Sequence, residues 1–157
     1  MKILLMAVGR TTIDFVQQGI AEYLGRLRHY VPVEVKIIAD LKRSAGLTPD
    51  RQKQLEGEAI LAALQPADQV ILLDENGREY TSREFAAWME RRLASGAKRV
   101  VFIVGGPFGF SPAVYDRADS KVSLSRMTFN HEMVRLFFVE QLYRSQTILR
   151  GEQYHHD

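Results

Sequence analysis

The sequence predicts an α/β fold with a mainly parallel sheet flanked by helices. Apolar runs of strand length alternate with segments whose apolar residues recur at helical spacing, and that alternation is typical of βαβ units. The first run, residues 3–8, is continuously apolar, as expected for a strand that helices cover on both faces. Because no repeat, low-complexity segment or linker interrupts the pattern, we expect a single domain over residues 1–157.

The helix after the first strand is indicated by apolar residues that recur at helical spacing over residues 13–27. Thr11, with Asp14 three residues later, has the spacing of a capping pair for this helix. Residues 31–39 predict a second strand, and the polar residues 40–47 predict a loop on the outside of the molecule.

The second helix begins at Thr48 and Pro49, with the threonine as cap and the proline in the first turn. Its predicted buried stripe consists of Leu55, Ala59, Ala63 and Leu64. Residues 69–74 then predict a third strand, and the Glu-Asn-Gly sequence at 75–77 predicts a turn that ends it.

The third helix begins at Thr81, which forms a capping box with Glu84. Its core-facing residues are Phe85, Trp88, Met89 and Leu93, and Gly96 ends it. Three further elements complete the pattern: a fourth strand at 99–104, a short helix that starts at Ser111-Pro112, and a weaker fifth strand at 121–125. The last helix runs from about His131 to about Leu149.

The fourth strand ends in a glycine-rich loop, Gly105 to Pro112, at the edge of the sheet where ligands bind in open α/β folds. Glycines let the main chain approach a ligand, and phenylalanines line a slot for a flat ring. The spacing matches neither a dinucleotide fingerprint nor a P-loop, and no basic residue lies between 105 and 116. The loop therefore suits an uncharged adenine or ribose, although a tight strand-to-helix turn explains the glycines equally well.

The last helix is apolar nearly all round, which is typical of a helix buried on several sides. This favours a subunit interface, and hence dimerisation, over a central core helix. We expect Arg135 and Glu140 to form ion pairs, because charges on such a helix are seldom buried without a partner. Arg144 and Arg150 lie nearer its end, where arginine is suited to contact a phosphate or a substrate.

Composition excludes several classes of site. The chain has no cysteine, so it has no disulfide, thiolate metal site or cysteine nucleophile. Its four histidines have no metal-ligand spacing, so we expect no metal. Its formal charge of +2 does not by itself indicate a nucleic-acid partner. No apolar run is long enough to span a membrane, and we expect a soluble, cytoplasmic protein.

Four stretches together resemble the family of ribosomal RNA large subunit methyltransferase H, which belongs to the SPOUT class of knotted methyltransferases. They are MKILLMAVG, IAEYLGRL, VFIVGGPFGFSP and SLSRMTFNHEMVRLFFVEQLYRSQTILRGEQYHH. The resemblance covers essentially the whole chain. It implies a parallel sheet with a C-terminal trefoil knot, which no strand pattern predicts, and a homodimer whose interface includes the last helix. The implied cofactor is S-adenosyl-L-methionine, bent within the knot. The implied substrate is a pseudouridine in a stem-loop of large-subunit (23S-type) ribosomal RNA, methylated at N3 in the assembled ribosome.

The resemblance also implies the site residues. Cofactor contacts fall on Leu73, Gly105, Leu124, Ser125, Arg126, Met127, Thr128 and Phe129, and each of these groups lies at the end of a predicted strand. For catalysis we expect Arg144 and His155 to remove the N3 proton or stabilise the resulting anion. Tyr154 would stack on or position the base. The tail matches the family at Tyr154 and His155, whereas His156 and Asp157 depart from the basic residue often found there.

Three other functions fit parts of the sequence. They are a SPOUT methyltransferase acting on transfer RNA, a non-catalytic RNA-binding factor in ribosome assembly, and an α/β nucleotide-binding protein without an RNA role. The intact glycine loop argues against the second, and the missing phosphate loop argues against the third. Because a weakly basic monomer cannot hold RNA by charge alone, we expect poor activity on naked RNA fragments.

Overall fold

A computed structural model describes residues 1–40 and 46–157 of the chain, so most of the predicted loop at 40–47 lies outside the described residues. The strands are β1 (Lys2–Val8), β2 (Val33–Ile38), β3 (Gln69–Glu79), β4 (Arg99–Val104) and β5 (Ser120–Ser123). The helices are α1 (Asp14–Leu27), α2 (Pro49–Ala63), α3 (Ser82–Leu93), α4 (Pro112–Arg117) and α5 (Met133–Leu149).

The described strands form one sheet in the order β2-β1-β4-β3-β5. Each neighbouring pair is parallel, which confirms the predicted α/β fold with a parallel sheet. Strand β1, which lies between β2 and β4, is buried from Ile3 to Val8, as its continuous apolar run predicted. The trefoil knot concerns how the C-terminal segment threads through the rest of the chain, and it stays a prediction.

Two helical layers cover the sheet, and alternate residues of β1 separate them because successive strand side chains point to opposite faces. Ile3, Leu5 and Ala7 pack in one cluster with residues of α1, α3 and α5. Leu4, Met6 and Val8 pack in a second cluster with residues of α2 and α4. The cleft described below opens at the carboxyl edge of the sheet, between these layers.

Three predicted helix starts are confirmed by their capping hydrogen bonds. Thr48 accepts from the main-chain N–H of Arg51. Thr81 and Glu84 form the complete capping box of α3. Ser111 caps α4, which begins with a proline.

The cap of α1 differs from the prediction. Thr11 and Asp14 do not form the capping pair, and α1 has no side-chain cap from its own N-cap residue. Instead, the carboxylate of Glu132 accepts from the main-chain N–H groups of Thr12 at 2.6 Å and Ile13 at 2.9 Å. A tertiary contact from the far end of the chain therefore replaces the local cap.

The predicted turn at 75–77 is wrong, because β3 continues through it to Glu79. The pairing of β3 with β5 shifts register between Leu73 and Arg78, as at a β-bulge. A Cβ on Gly77 would lie 2.7 Å from the main-chain nitrogen of Val122. The glycine thus marks a close approach of the two strands and not the end of β3.

The predicted buried stripe of α2 is only partly right, because Ala63 and Leu64 are half-buried and pack against the core, but the fully buried face lies elsewhere. The buried residues are Glu56, Gly57 and Ile60, whereas Ala59 is exposed. Gly57 lets α2 approach the start of α4 closely, since a Cβ there would lie 2.4 Å from Ser111 Oγ. That close approach turns a different face of the helix toward the sheet.

Candidate active site

A cleft of about 610 Å³ opens at the carboxyl end of β4, where its pairing with β3 stops at Leu73 and Val104. Three segments form its walls: residues 73–76 of β3, which follow the last pair of β3 with β4, the glycine loop with its flanks at 104–110, and residues between β5 and the start of α5. This edge is where open α/β sheets bind ligands. Its volume lies within the range of roughly 300–1,000 Å³ that is common for small-molecule sites.

The cleft brings together the predicted cofactor residues from all three segments. Leu73 and Gly105 line it, as do Leu124, Ser125, Met127, Thr128 and Phe129. Arg126 is the exception. Its side chain is 86% exposed and its Nε lies 3.5 Å from Glu79 Oε1, outside the lining.

The glycine loop is both a tight turn and a wall of the cleft. The N–H of Gly109 donates to the carbonyl of Gly106 over 3.1 Å, and Gly109 has a φ of +80°, which favours glycine. At Gly105 a Cβ would lie 3.1 Å from the ring of Phe110. The tight strand-to-helix turn is therefore confirmed, and the ligand site that the sequence also suggested for this loop stays a prediction.

The segment after β5 is shaped by its own serines. Ser125 Oγ accepts from the N–H of Met127 over 2.9 Å, and Ser123 Oγ donates to the carbonyl of Ser125 over 2.9 Å. Thr128 Oγ1 donates to Glu75 Oε2 over 3.2 Å. This bond links two walls of the cleft.

Sequence reasoning missed several residues that line the cleft, among them Asp74, Glu75, Tyr115 and His131. Reading 75–77 as a turn concealed the acidic pair, although the pair directly follows the apolar part of a strand that ends at the ligand edge. The hydroxyl of Tyr115 donates a hydrogen bond to Asp74 Oδ2. Burial, together with this carboxylate, raises the pKa of Tyr115 above its usual range.

The charge of the cleft is negative. Asp74 and Glu75 contribute carboxylates, and the described lining contains no lysine or arginine. Such a wall disfavours a polyphosphate and favours a neutral or cationic ligand.

Across the described residues there is no group of three acidic, histidine or cysteine side chains placed to hold a metal. In the same part of the chain, none of the helices combines the length and apolar character that crossing a membrane requires.

The three predicted catalytic residues lie together around Glu140. Arg144 Nη2 donates to Glu140 Oε1 over 2.5 Å, which confirms the ion pair expected for Glu140. The hydroxyl of Tyr154 donates to the same oxygen over 3.0 Å. The guanidinium of Arg144 lies 4.8 Å from the ring centroid of Tyr154, and its Nη1 lies 3.1 Å from Nδ1 of His155.

The C-terminal tail is bound to the body of the protein by further polar contacts. His155 Nε2 lies 3.0 Å from Asp157 Oδ1, and the same carboxylate accepts from Arg83 Nε over 2.6 Å. The hydrogen bond from Arg83 lowers the pKa of Asp157. Burial, with the hydroxyl of Tyr23 and the carboxylate of Glu140, raises the pKa of Tyr154 above its usual range.

The other two arginines of the last helix contact main-chain carbonyls. Arg150 donates to the carbonyl of His29 over 3.1 Å. Arg135 is 1% exposed and donates to the carbonyls of Gly9 over 2.7 Å and Val8 over 2.8 Å. The ion pair predicted for Arg135 is therefore wrong, because its guanidinium binds the end of β1 instead. With Glu132, it holds the start of α5, and hence the adjoining cleft segment, against the β1–α1 connection.

The tail cluster and the cleft are separate within one chain. The cleft reaches α5 only at its first turn, at Val134, and none of Arg144, Tyr154 and His155 lines it. Arg144 follows Val134 by ten residues, which corresponds to about 15 Å along a helix.

Comparisons with known proteins agree with this architecture. A family model described as Predicted SPOUT methyltransferase matches residues 1–155. A Porphyromonas gingivalis protein named Ribosomal RNA large subunit methyltransferase H is 50% identical over 157 residues, covering all of both chains. Proteins of the same name from Bacteroides fragilis, 52% identical over all of both chains, and Christiangramia forsetii, 51% identical over 99% of each, are similar to the same extent. The solved structure of a probable methylase family protein from Haemophilus influenzae matches with a TM-score of 0.50. The match covers 99% of this chain and 70% of the Haemophilus influenzae chain. Because the two sequences are only 11% identical, the match supports the fold alone.

Proposed function

The chain belongs to the SPOUT methyltransferase family, and on that premise we propose that it methylates N3 of a pseudouridine in large-subunit ribosomal RNA, with S-adenosyl-L-methionine as methyl donor. Methyltransferase activity follows from the family. The methyl donor, the acceptor atom and the ribosomal substrate are what we propose. Because the proposed substrate is the ribosome, the proposal also places the protein in the cytoplasm. The observation that supports it most is that separate chain segments predicted to contact the donor meet in one cleft.

The cleft suits S-adenosyl-L-methionine in shape and charge. Leu73, Gly105 and Phe129 offer apolar and main-chain surface for an adenosine, and no cation is needed because this ligand carries no phosphate. The carboxylates of Asp74 and Glu75 are placed to favour a ligand with positive charge. When bound, the donor supplies an electrophilic methyl group on a sulfonium.

Little further chemistry is required of the protein, because methyl transfer depends mainly on positioning the acceptor nitrogen. The N3 proton must nevertheless leave. Arg144 is suited to stabilise the anion that develops, and His155 to accept the proton. Tyr154 supplies an aromatic face for the base.

The hydrogen bonds around His155 define its tautomer. The Asp157 carboxylate only accepts, so the neutral imidazole carries its hydrogen on Nε2, which lies 3.0 Å from Asp157 Oδ1. The Arg144 guanidinium only donates, so it occupies the lone pair of Nδ1. His155 can act as a base at Nδ1 once Arg144 turns from the imidazole to the substrate.

We further propose a homodimer in which the tail cluster of one subunit serves the cleft of the other. The separation of the cluster from the cleft within one chain supports this arrangement. So do the apolar side chains exposed on the two neighbouring helices, Phe15 on α1 at 62% and Phe137 on α5 at 40%. Large exposed apolar groups of this kind often mark an interaction surface.

Subunit mixing tests the shared site. Arg144→Ala inactivates the tail, and Gly105→Val fills the cleft. If the tail acts on the partner's cleft, a mixture of the two variants contains dimers with one intact site and regains activity that neither has alone. If the tail acts within its own chain, the mixture stays inactive.

The acceptor is tested with radiolabelled S-adenosyl-L-methionine, purified protein, and three acceptors from a strain that lacks this gene: intact ribosomes, separated large subunits and bulk transfer RNA. We expect label in large-subunit RNA. Label in transfer RNA would instead support a different SPOUT substrate. Measurable donor binding without label in any acceptor would contradict the proposed substrate, and no donor binding would favour the non-catalytic assembly factor.

A further inference from the structure

Glu56 and Gly57, two adjacent residues of α2, contact the two ends of the glycine loop. A Cβ on Gly106, at the start of the loop, would lie 2.2 Å from Oε2 of Glu56. A Cβ on Gly57 would lie 2.4 Å from Oγ of Ser111, at the end of the loop. Real Cβ atoms do not come so close to an oxygen, so helix and loop fit each other only because both contacts are made at a glycine.

Glu56 is an unusual residue for this position. Its side chain is 4% exposed, and carboxylates are rarely buried without a partner. Its Oε1 has no hydrogen-bond partner among the described residues. Burial raises the pKa of this carboxyl, a contact with Gln52 opposes that rise, and the negative charge of Asp40 adds to it. An apolar residue would cost less free energy here, so packing of the core alone does not account for a glutamate.

Gly106 is a glycine because of this carboxyl group and not because of its own main chain. The described glycines with positive φ are Gly9, Gly46, Gly96, Gly109 and Gly151. Gly106 is absent from that set, so its main chain is open to an L-residue. The obstacle to a side chain at this position is Glu56, which occupies the place of the missing Cβ.

Gly106 also lines the cleft, so the position of the Glu56 carboxyl affects the position of the loop surface that faces the ligand. We propose that Glu56 is a positioning residue for the methyl-donor site. Its carboxyl group defines where Gly106 lies, and the contact of Gly57 with Ser111 holds the other end of the same loop. The inference rests on the proposed function in one respect, that the cleft binds S-adenosyl-L-methionine.

A double-mutant cycle tests the contact directly. Gly106→Ala adds a methyl group where the carboxyl lies, so either the carboxyl or the loop must shift. Because Glu56 is only 4% exposed, we expect the loop to shift and S-adenosyl-L-methionine to bind about tenfold more weakly, within the coupling range of touching residues. Glu56→Ala removes the obstacle. In the double variant the new methyl group enters the vacated space, so donor affinity returns to that of Glu56→Ala alone. Calorimetric titration gives the affinities, and thermal unfolding shows that each variant is folded.

Two further variants separate positioning from simple stabilisation. Glu56→Gln keeps the size and shape of the side chain, so it should bind the donor nearly as the wild type does, while Glu56→Ala raises KM for the donor and leaves KM for ribosomes unchanged. Glu58→Ala is the matched control, because Glu58 lies on the same helix but is exposed. It should alter neither constant.

The outcomes are distinct. Wild-type affinity in Gly106→Ala, or effects of Gly106→Ala and Glu56→Ala that simply add in the double variant, would overturn the inference. Failure of the wild-type chain to bind S-adenosyl-L-methionine would contradict the proposed function itself and, with it, a role for Glu56 in donor binding. Restored affinity in the double variant, with a selective change in the donor KM for Glu56→Ala, would support the inference.

Discussion

The carboxylate of Glu132 binds Thr12, which lies 120 residues earlier in the chain. It accepts from the main-chain N–H of Thr12 over 2.6 Å and from the Thr12 hydroxyl over 2.7 Å. It also accepts from the N–H of the N-cap residue Ile13 over 2.9 Å, a donor that the helix α1 cannot satisfy itself. These bonds also join α1 to the segment before α5, which borders the cleft at His131.

Replacing Glu132 by glutamine should lower the free energy of unfolding by about 1–2 kcal/mol at pH 7, as for loss of a charged cap. The N–H of Ile13 is the main cause that lowers the pKa of Glu132, with the hydroxyl and N–H of Thr12 adding to it. A lowered pKa in the folded state means that the carboxylate stabilises the fold above its unfolded pKa of about 4.3. This contribution is lost as the pH falls through the folded value.

Urea denaturation from pH 7 down to pH 3 checks this prediction. The difference between wild type and Glu132→Gln should be largest at neutral pH and shrink in acid. A difference that does not change with pH would show that the charge of Glu132 is not what holds α1. The exposed Glu58, changed to glutamine, is the matched control.

Arg144→Ala and His155→Ala should each lower the rate of methyl transfer at least about 100-fold, the usual contribution of an acid–base or charge-stabilising group. Donor affinity should persist, because neither residue lines the cleft of its own chain, and the proposed dimer should persist, because Arg144 and His155 make their contacts within one chain. Single-turnover methyl transfer, donor titration and sedimentation measure the three properties.

An exposed arginine provides the comparison for these two variants. Arg91 on α3 is exposed, and Arg91→Ala should keep full activity. Near-normal turnover in both Arg144→Ala and His155→Ala, with donor binding and dimer intact, would show that the catalytic assignment is wrong.

Gly77→Ala should destabilise the protein by about 2 kcal/mol or more, the cost of forcing extra atoms into a packed site. The new Cβ would lie 2.7 Å from the nitrogen of Val122, and main-chain atoms of a paired strand cannot move aside cheaply. Gly25 is the comparison, because a Cβ there meets only Arg28 Nη2 at 3.8 Å. Gly25→Ala, in the interior of α1, should stabilise by about 0.5–1 kcal/mol. Thermal and urea unfolding give both values, and equal effects would contradict the close approach of β3 and β5.

Glu56→Gln should change how stability depends on pH. Because burial raises the pKa of Glu56, the folded protein keeps this proton at a pH where the unfolded chain has lost it, so wild-type stability falls as the pH rises above about 4.3. Glutamine has no proton to lose. The stability of Glu56→Gln relative to wild type should therefore increase with pH, which urea denaturation at pH 4 to 8 measures. A constant difference would mean that Glu56 titrates normally.

Activity on naked RNA fragments should be poor compared with intact ribosomes. The chain has a formal charge of only +2, and affinity gained from phosphate neutralisation is small for a weakly basic protein and falls steeply with salt. Initial rates on ribosomes and on a stem-loop fragment, compared at two salt concentrations, measure the difference. Equal rates would show that the RNA alone carries the recognition.

The regular elements could be predicted because their signals are local. The apolar run of β4 and the caps at Thr48 and Thr81 depend on neighbours within a few residues, and the structure confirms them. The resemblance added the three groups of residues predicted to bind the donor, and all but Arg126 line one cleft.

The features that sequence reasoning missed depend on distant contacts. Gly77 has the pattern of a turn, yet it is a glycine because β5 passes close to it. The cap of α1 comes from Glu132 and could not be found within the first helix. Glu56 was missed because a carboxylate is an improbable core residue, and only its contact with Gly106 makes it informative.

The most direct test of the central claim is to locate the transferred methyl group. Ribosomes from a strain that lacks this gene are incubated with the protein and S-adenosyl-L-methionine, and the nucleosides of the large-subunit RNA are separated and identified by mass spectrometry. The account predicts N3-methylpseudouridine at a single position. It predicts no methyl transfer to that position in ribosomes whose RNA contains uridine in place of the pseudouridine. A methyl group on another base or atom, or equal methylation of the uridine-containing ribosomes, would contradict it.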